Sequence, residues 1–375
     1  MNFAALAAGI GVTALQREAA DKGDAIGLAG GLPATDLVPR ELLATVLSEV
    51  ARGDEDAVQY GWPEGIRSLR EWIAERLRTR GAIVEPDRVI ITSGAQQALT
   101  LIAMAHRGAR IAVGDATYPS AIAAFERAGV EVVARIESGA VGDAAHYIMP
   151  GCANPMGVDL VEPWREYWLG AGALIADEAY TELRFDGRLA RPLLADAPDR
   201  VWHVGTLSKT VCPGLRVGWL VPPRRDHEEL LQHKEAADLQ AASITQVAAA
   251  RLLERLDYDA HLERLRAAYY ERAERLCDAL AIELPEARFV EPQGGFACWV
   301  ELDDDGDDIA LLEAAIAHGT SIDPGRLFRP RDARGPVAFR ASFSSAPVDR
   351  IAEGVQRLAR AVAAWRSSGR ARMQA

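Results

Sequence analysis

The sequence predicts an α/β protein, with a large domain built on a mainly parallel seven-stranded sheet between helices and a smaller α+β domain beside it. Short β-rich runs alternate with helical patterns from about Val89 to Val221, as chains of strand–helix–strand units do. From about Asp226 the texture changes to long amphipathic helices, and after Leu284 strand and helix patterns mix again. The 375 residues, 49% of them hydrophobic, are enough to bury a large core and to divide into two domains.

Taken in order, Met1 to Leu15 is Ala-rich and uncharged. A secretory leader would open with basic residues, yet the first cation is Arg17, so this stretch reads as a helix. Strands are expected at Arg88 to Thr92, Arg110 to Gly114, Val130 to Ile136, Tyr147 to Met149, Ala173 to Asp177, Val201 to Thr206 and Leu215 to Val221. Helices are expected at Gln96 to Ala105 and Ser120 to Ala128, and again at His261 to Leu280, where Leu262, Leu265, Tyr269, Ala273, Leu276 and Leu280 form one stripe. The tail adds strands near Phe296 to Glu301 and Val337 to Phe343. A last helix carries Ile351, Val355, Leu358, Val362 and Trp365 at spacings of four and three. The large domain is assigned to residues 40–222, and the small one to 1–39 and 223–375 with the connecting helices.

Charge and cysteine content exclude several partners. With 42 basic and 54 acidic side chains the formal net charge is −12, unsuited to a polyanion, so no nucleic-acid partner is expected. No run reaches the roughly 20 consecutive apolar residues that a membrane span needs. The four cysteines at 152, 212, 277 and 298 have no Cys-x-x-Cys spacing and read as reduced thiols of a cytoplasmic protein.

Some motifs mislead. Gly9-Ile10-Gly11-Val12-Thr13-Ala14 matches a dinucleotide fingerprint but lacks the strand that must precede it. Ser208-Lys209-Thr210 resembles the end of a P-loop without the upstream glycines. The acidic run Asp303 to Asp308 does not follow the order of a calcium loop and reads as a solvated turn before a helix at Ile309. No His/Cys cluster has zinc spacing, and no metal is expected.

The informative residues stand at the carboxyl ends of successive strands, where open α/β sheets bind ligands. Val89 to Gln97 runs from a strand through Ser93-Gly94 into a helix whose first N–H groups, at Ala95 and Gln96, can hold a phosphate. An apolar strand ends in Asp177, a charge that needs a cation or donor. After the next strand comes Ser208-Lys209-Thr210, with Arg216 following. A partly desolvated lysine beside a cationic ring has the depressed pKa that Schiff-base chemistry needs, although a plain Asp177–Lys209 salt bridge is the alternative. Together a phosphate cradle, an aspartate for a pyridinium nitrogen, a lysine for an aldehyde and an arginine for the phosphate are what pyridoxal 5′-phosphate requires.

With these residues in place, the sequence resembles the class I/II aminotransferases of pyridoxal-phosphate fold type I. The segment Gly205 to Trp219 is similar to the lysine motif of the branch containing 2-aminoadipate aminotransferases and the aminotransferase half of MocR-type regulators. Further matches are Gly30-Gly31-Leu32-Pro33, Tyr60 to Arg70, Thr92 to Leu99, Thr117-Tyr118-Pro119, Asn154-Pro155-x-Gly157, Asp177-x-x-Tyr180, Gly294-Gly295-Phe296 and Phe339-Arg340.

The resemblance implies an aminotransferase working by two alternating half-reactions between an L-amino acid and a 2-oxo acid. It implies that Lys209 forms the internal aldimine and then shuttles a proton, while Asp177 keeps the ring nitrogen protonated. Asn154 and Tyr180 are implied to bond the ring O3′, with Tyr118 stacked on the ring face. Gly94, the main chain of Ala95 and Gln96, Ser208 and Arg216 are implied to hold the phosphate. Arg340 is implied to clamp the substrate α-carboxylate and Gly31 to line that site. Tyr60 is implied to reach the phosphate of a neighbouring subunit, hence a homodimer with shared sites. The alternatives are that Tyr118 is an ordinary core residue and Arg340 half of a surface ion pair.

Three positions depart from the family pattern: Ala95 where a hydroxyl is common, Met156 for the usual Thr, and Cys212 for a common Ala. With little sequence ahead of the aminotransferase-like part, a DNA-binding regulator is disfavoured. The same cofactor also serves decarboxylation, β- or γ-elimination and oxidation, and the same pocket could serve a non-catalytic effector-binding module.

Overall fold

The computed structural model describes residues 24–53, 55–134, 144–170, 172–331, 333 and 335–374. The expected helix over Met1 to Leu15, and Arg135 and Ile136 of one expected strand, lie outside these residues. In chain order the elements are β1 (Ile26–Gly27), α1 (Arg40–Gly53), α2 (Arg67–Thr79), β2 (Ile90–Thr92), α3 (Ala95–Ala105), β3 (Arg110–Val113), α4 (Pro119–Arg127), β4 (Glu131–Ala134), β5 (Ala145–Ile148), α5 (Glu162–Gly170), β6 (Leu174–Asp177), β7 (Val201–Thr206) and β8 (Gly218–Val221). They continue with α6 (His227–Asp238), α7 (Ser243–Arg255), α8 (Tyr258–Glu283), β9 (Arg288–Phe289), β10 (Ala297–Leu302), α9 (Asp308–Ala317), β11 (Thr320–Ser321), β12 (Asp323–Pro324), β13 (Val337–Ser342) and α10 (Ile351–Gln374).

All seven expected strands between Val89 and Val221 join one sheet, in the order β2-β8-β7-β6-β5-β3-β4. Strands β3 to β7 pair parallel, whereas β8 runs antiparallel to both of its neighbours. Strands β5, β6, β7 and β8 are buried along their whole length, as expected where both faces of a sheet are covered. The reversal of β8 has a consequence for chemistry. It makes the amino end of β8, just after Arg216, share an edge with the carboxyl ends of β2, β6 and β7.

Two strands start two or more residues later than expected. Pro86–Arg88 forms a turn ahead of β2, and the Arg88 guanidinium bonds the carbonyl of Pro222. Pro213–Leu215 likewise forms a turn, with Arg216 left-handed at φ 52°, so β8 begins at Gly218. Proline at the head of each segment favours the turn over strand pairing.

The second sheet, β12-β13-β10-β9, is antiparallel, and β1 pairs with β11. Every residue of the expected stripe on α8 is buried, as are Ile351, Val355, Leu358, Val362 and Trp365 of α10. One apolar core runs from Leu28 through both sheets to Trp365. The acidic run before Ile309 is a helix start: the Asp307 carboxylate accepts from the Ile309 amide at 2.9 Å, and Asp308 pairs with Arg326. Among the described residues no group of His, Cys, Asp and Glu is placed to hold a metal ion.

Candidate active site

A tight turn converts β2 into α3. Gly94 caps the helix at φ 82°, and a Cβ there would stand 2.4 Å from Arg216 Nη2. A Cβ on Gly218 would stand 2.6 Å from the Gly94 carbonyl carbon, so both glycines are needed for β8 to approach the turn. The first N–H groups of α3 have no intrahelical carbonyl to bond and carry the positive end of the helix dipole. Arg216 Nη1 donates to the Ser208 hydroxyl at 3.3 Å and Nη2 to the Ser93 carbonyl at 3.0 Å. Thr206 donates to Ser208 at 3.0 Å and steadies it. Behind the turn, Gln97 Oε1 accepts from the Ser93 amide at 2.8 Å while Gln97 Nε2 donates to Asp238, which pairs with the buried Lys234. Ala95, Gln96, Ser208 and Arg216 thus line one cavity with amide, hydroxyl and guanidinium groups.

Asp177, at the end of β6, is 1% exposed. Burial pushes its carboxyl above the usual range, opposed by the Tyr147 phenol, which donates to Oδ2 at 2.8 Å, and by the Ala179 amide, which donates to Oδ1 at 3.1 Å. Lys209 and His203 act in the same lowering direction. A cationic N–H donor in the adjoining cavity would complete that stabilisation.

Lys209 follows β7. Its Nζ donates to the Gly31 carbonyl at 2.8 Å rather than resting on Asp177, so the plain salt bridge is not what forms. The rings of Tyr180 and Phe296 lie 5.2 and 5.6 Å from Nζ. Burial lowers the amine to about 8; Arg340 and Arg216 add to the fall, while Tyr118 and Asp177 resist it. Tyr180 is raised above the usual phenol range by burial.

Ala95, Gln96, Tyr118, Asp177, Tyr180, Ser208, Lys209 and Arg216 all line one cavity of about 100 Å³, together with Met149, Ala179 and Thr206. Tyr118 is thus at the cavity and only partly buried. Asn154, Tyr180, Phe296 and Arg340 line an adjoining recess. Arg340 is no surface pair: it is buried, its Nη1 donates to Asn154 Oδ1 at 2.8 Å, and a Cβ on Gly31 would stand 3.5 Å from that nitrogen. Tyr60 stands apart, 79% exposed and outside this cavity.

Sequence reasoning missed Tyr147, His203 and Asp323. Tyr147 and His203 sit inside expected strands, where an aromatic or histidine reads as core. Asp323 precedes a proline in a stretch that gave no strand pattern.

The donor set fits pyridoxal phosphate: the Gly94 cradle, left open by the lack of a Cβ, suits its phosphate, Asp177 its ring nitrogen and the Lys209 amine its aldehyde. Comparison with known proteins agrees. The family model for class I and II aminotransferases matches residues 24–358. Aromatic-amino-acid aminotransferase 1 of Thermococcus litoralis is 31% identical, covering 90% of this chain and 88% of that protein. The 2-aminoadipate transaminase of Thermus thermophilus is 32% identical, covering 90% of each. Among solved structures, α-aminoadipate aminotransferase from Thermus thermophilus, complexed with N-(5′-phosphopyridoxyl)-L-leucine, superposes with a TM-score of 0.85 at 30% identity, over 94% of this chain and 95% of that one. The chain belongs to the class I and II aminotransferases and is a pyridoxal-phosphate enzyme of fold type I.

Proposed function

We propose that this aminotransferase moves an amino group from an L-amino acid to a 2-oxo acid in two alternating half-reactions, with Lys209 as the covalent anchor of the cofactor. One observation carries the reading: a buried amine with a pKa of about 8 shares a cavity with a buried carboxylate and a phosphate-shaped cradle. The bound cofactor supplies an electron sink for the bonds at the substrate Cα.

The chain's own residues do the rest. Gly94, the amides of Ala95 and Gln96, Ser208 and Arg216 would hold the phosphate, and Asp177 would hold the ring nitrogen in its protonated form. Asn154 and Tyr180 would donate to the ring oxygen, with Tyr118 against the ring face. Arg340 would grip the α-carboxylate through its fork, with Gly31 allowing close approach. The Lys209 amine, near neutral pH in part unprotonated, takes and returns the proton at the substrate Cα.

The same proposal assigns residues 40–222 to the cofactor-binding domain, and 1–39 with 223–375 to the smaller one. It also makes the enzyme a homodimer. Val58, Tyr60 and Trp62 form an exposed apolar stretch suited to burial against a second copy, where Tyr60 would reach the partner's phosphate site. We place it in the cytoplasm on its four free thiols. No helix among the described residues is long and apolar enough to cross a membrane.

The test is a panel of amino acids added to the holoenzyme without an acceptor, read by absorbance and product mass. Pyridoxamine phosphate with the matching oxo acid is expected. Carbon dioxide, free ammonia without pyridoxamine phosphate, or peroxide would overturn transamination, and no spectral response to any amino acid would point to a binding module.

A further inference from the structure

Behind the proposed carboxylate clamp stands a second charge. Asp323 and Arg340 are register partners on β12 and β13, and the carboxylate is fully buried. Asp323 Oδ2 accepts from Arg340 Nε at 3.0 Å and from Nη2 at 2.6 Å, and also from the Gly30 amide at 2.8 Å. Among the described residues its Oδ1 has no hydrogen-bond partner. We infer that Asp323 is a positioning and charge-balancing residue of the clamp: it selects which guanidinium hydrogens face the substrate and offsets the clamp's charge, so that a carboxylate is gripped yet released.

The stereochemistry supports both parts. A guanidinium has five N–H donors in a rigid plane. Asp323 takes the one on Nε and one on Nη2, and Asn154 takes one on Nη1. One hydrogen remains on each terminal nitrogen, a pair that the two oxygens of a carboxylate can accept together. Through Gly30, Asp323 also fixes the turn whose next residue, Gly31, carries the carbonyl bonded by Lys209. A single buried carboxylate therefore bonds both Arg340 and the Gly30 turn. With Asp323 ionised, the pair meets an incoming carboxylate with no net charge. Amino acid and 2-oxo acid each carry that group and must leave in every cycle, and affinity spent equally on bound and reacting states does not speed turnover.

This inference rests on the reading of Arg340 as the clamp, and the experiment separates the two. Propionate, whose carboxylate is its sole polar group, is titrated into holoenzyme and followed by calorimetry and by the cofactor's absorbance. Asp323→Asn is expected to tighten propionate about tenfold, a modest share of what one unit charge exerts at this range. It is also expected to lower the amino-acid KM without raising kcat. Asp323→Glu, which keeps the charge, should stay within about twofold of the parent. Asp323→Ser is the second uncharged variant should the first fail to fold, and an unaltered absorbance band shows that the site is intact. If Arg340→Gln weakens propionate but the uncharged Asp323 variants leave it unchanged or weaker, the inference about Asp323 falls alone. If Arg340→Gln leaves propionate binding unaltered, the clamp itself falls, and the inference with it.

Discussion

The phenol of Tyr147 on β5 donates to Oδ2 of Asp177 on the adjacent strand β6 at 2.8 Å, and both side chains are buried. Among the described residues, removing that donor leaves Asp177 with the Ala179 amide as its remaining direct hydrogen bond, so its pKa, already raised by burial, rises further. Tyr147→Phe should lower kcat/KM about tenfold, the effect of about one lost hydrogen bond to a charged group. Since the role proposed for Asp177 needs its ionised carboxylate, the acid limb of the pH–kcat/KM profile should move to higher pH. An acid limb that stays in place would show that Tyr147 does not tune Asp177.

Lys209 should set the pH dependence of cofactor capture. With its amine lowered to about 8, roughly a tenth is neutral at pH 7 and most of it above pH 9. Stopped-flow mixing of apoprotein with pyridoxal phosphate should give a rate that climbs about tenfold per pH unit below 8 and levels off above it. A rate still climbing at pH 10 contradicts the depressed amine. Lys209→Ala should abolish the visible absorbance of the bound cofactor.

Gly94→Ala places a methyl group 2.4 Å from Arg216 Nη2 at a backbone φ of 82°. The strain costs about 1–3 kcal/mol and displaces the guanidinium from the cradle. Cofactor affinity, measured by equilibrium dialysis, should fall by more than about tenfold, a change of about 1.4 kcal/mol. Wild-type affinity would mean that Arg216 does not hold the phosphate.

The proposed homodimer with shared sites can be tested by mixing two impaired variants. Lys209→Ala removes the amine from both sites of one, and Tyr60→Ala removes the partner's contribution from both sites of the other. After subunit exchange each hybrid holds one site with Lys209 and an intact Tyr60 from the partner. Activity should rise from near zero toward about a quarter of the wild-type level. Activity equal to the sum of the parents would place Tyr60 outside the partner's site.

Much of this site is legible along the chain because strand ends are local features. Asp177, Ser208 and Lys209 each follow an apolar run that ends in a polar residue, and a sheet of this class collects such ends on one edge. Gly94 is legible for the same reason, as the turn between a strand and a helix. Tyr147 and His203 gave no such sign: each lies inside a buried strand, and nothing in the alternation of residues marks which side chain will meet a carboxylate. β2 and β8 begin later than their apolar patterns predict because apolar residues beside a proline can serve a turn as well as a strand.

The seven strands, the buried stripes of α8 and α10, and the identities of the lysine, aspartate and arginines that point to pyridoxal phosphate are set by the order of the amino acids. These follow from period and residue type, which act over a few neighbours. Tertiary structure alone decided that β8 runs backwards, so that Arg216 meets Ser208 and Ser93 on the edge that carries Asp177 and Lys209. It alone decided that Arg340 is shared between Asn154 and Asp323, residues 186 and 17 positions away. Pairings across such distances depend on strand order and on which buried charge lacks a partner, and neither is written in the pattern of any one segment.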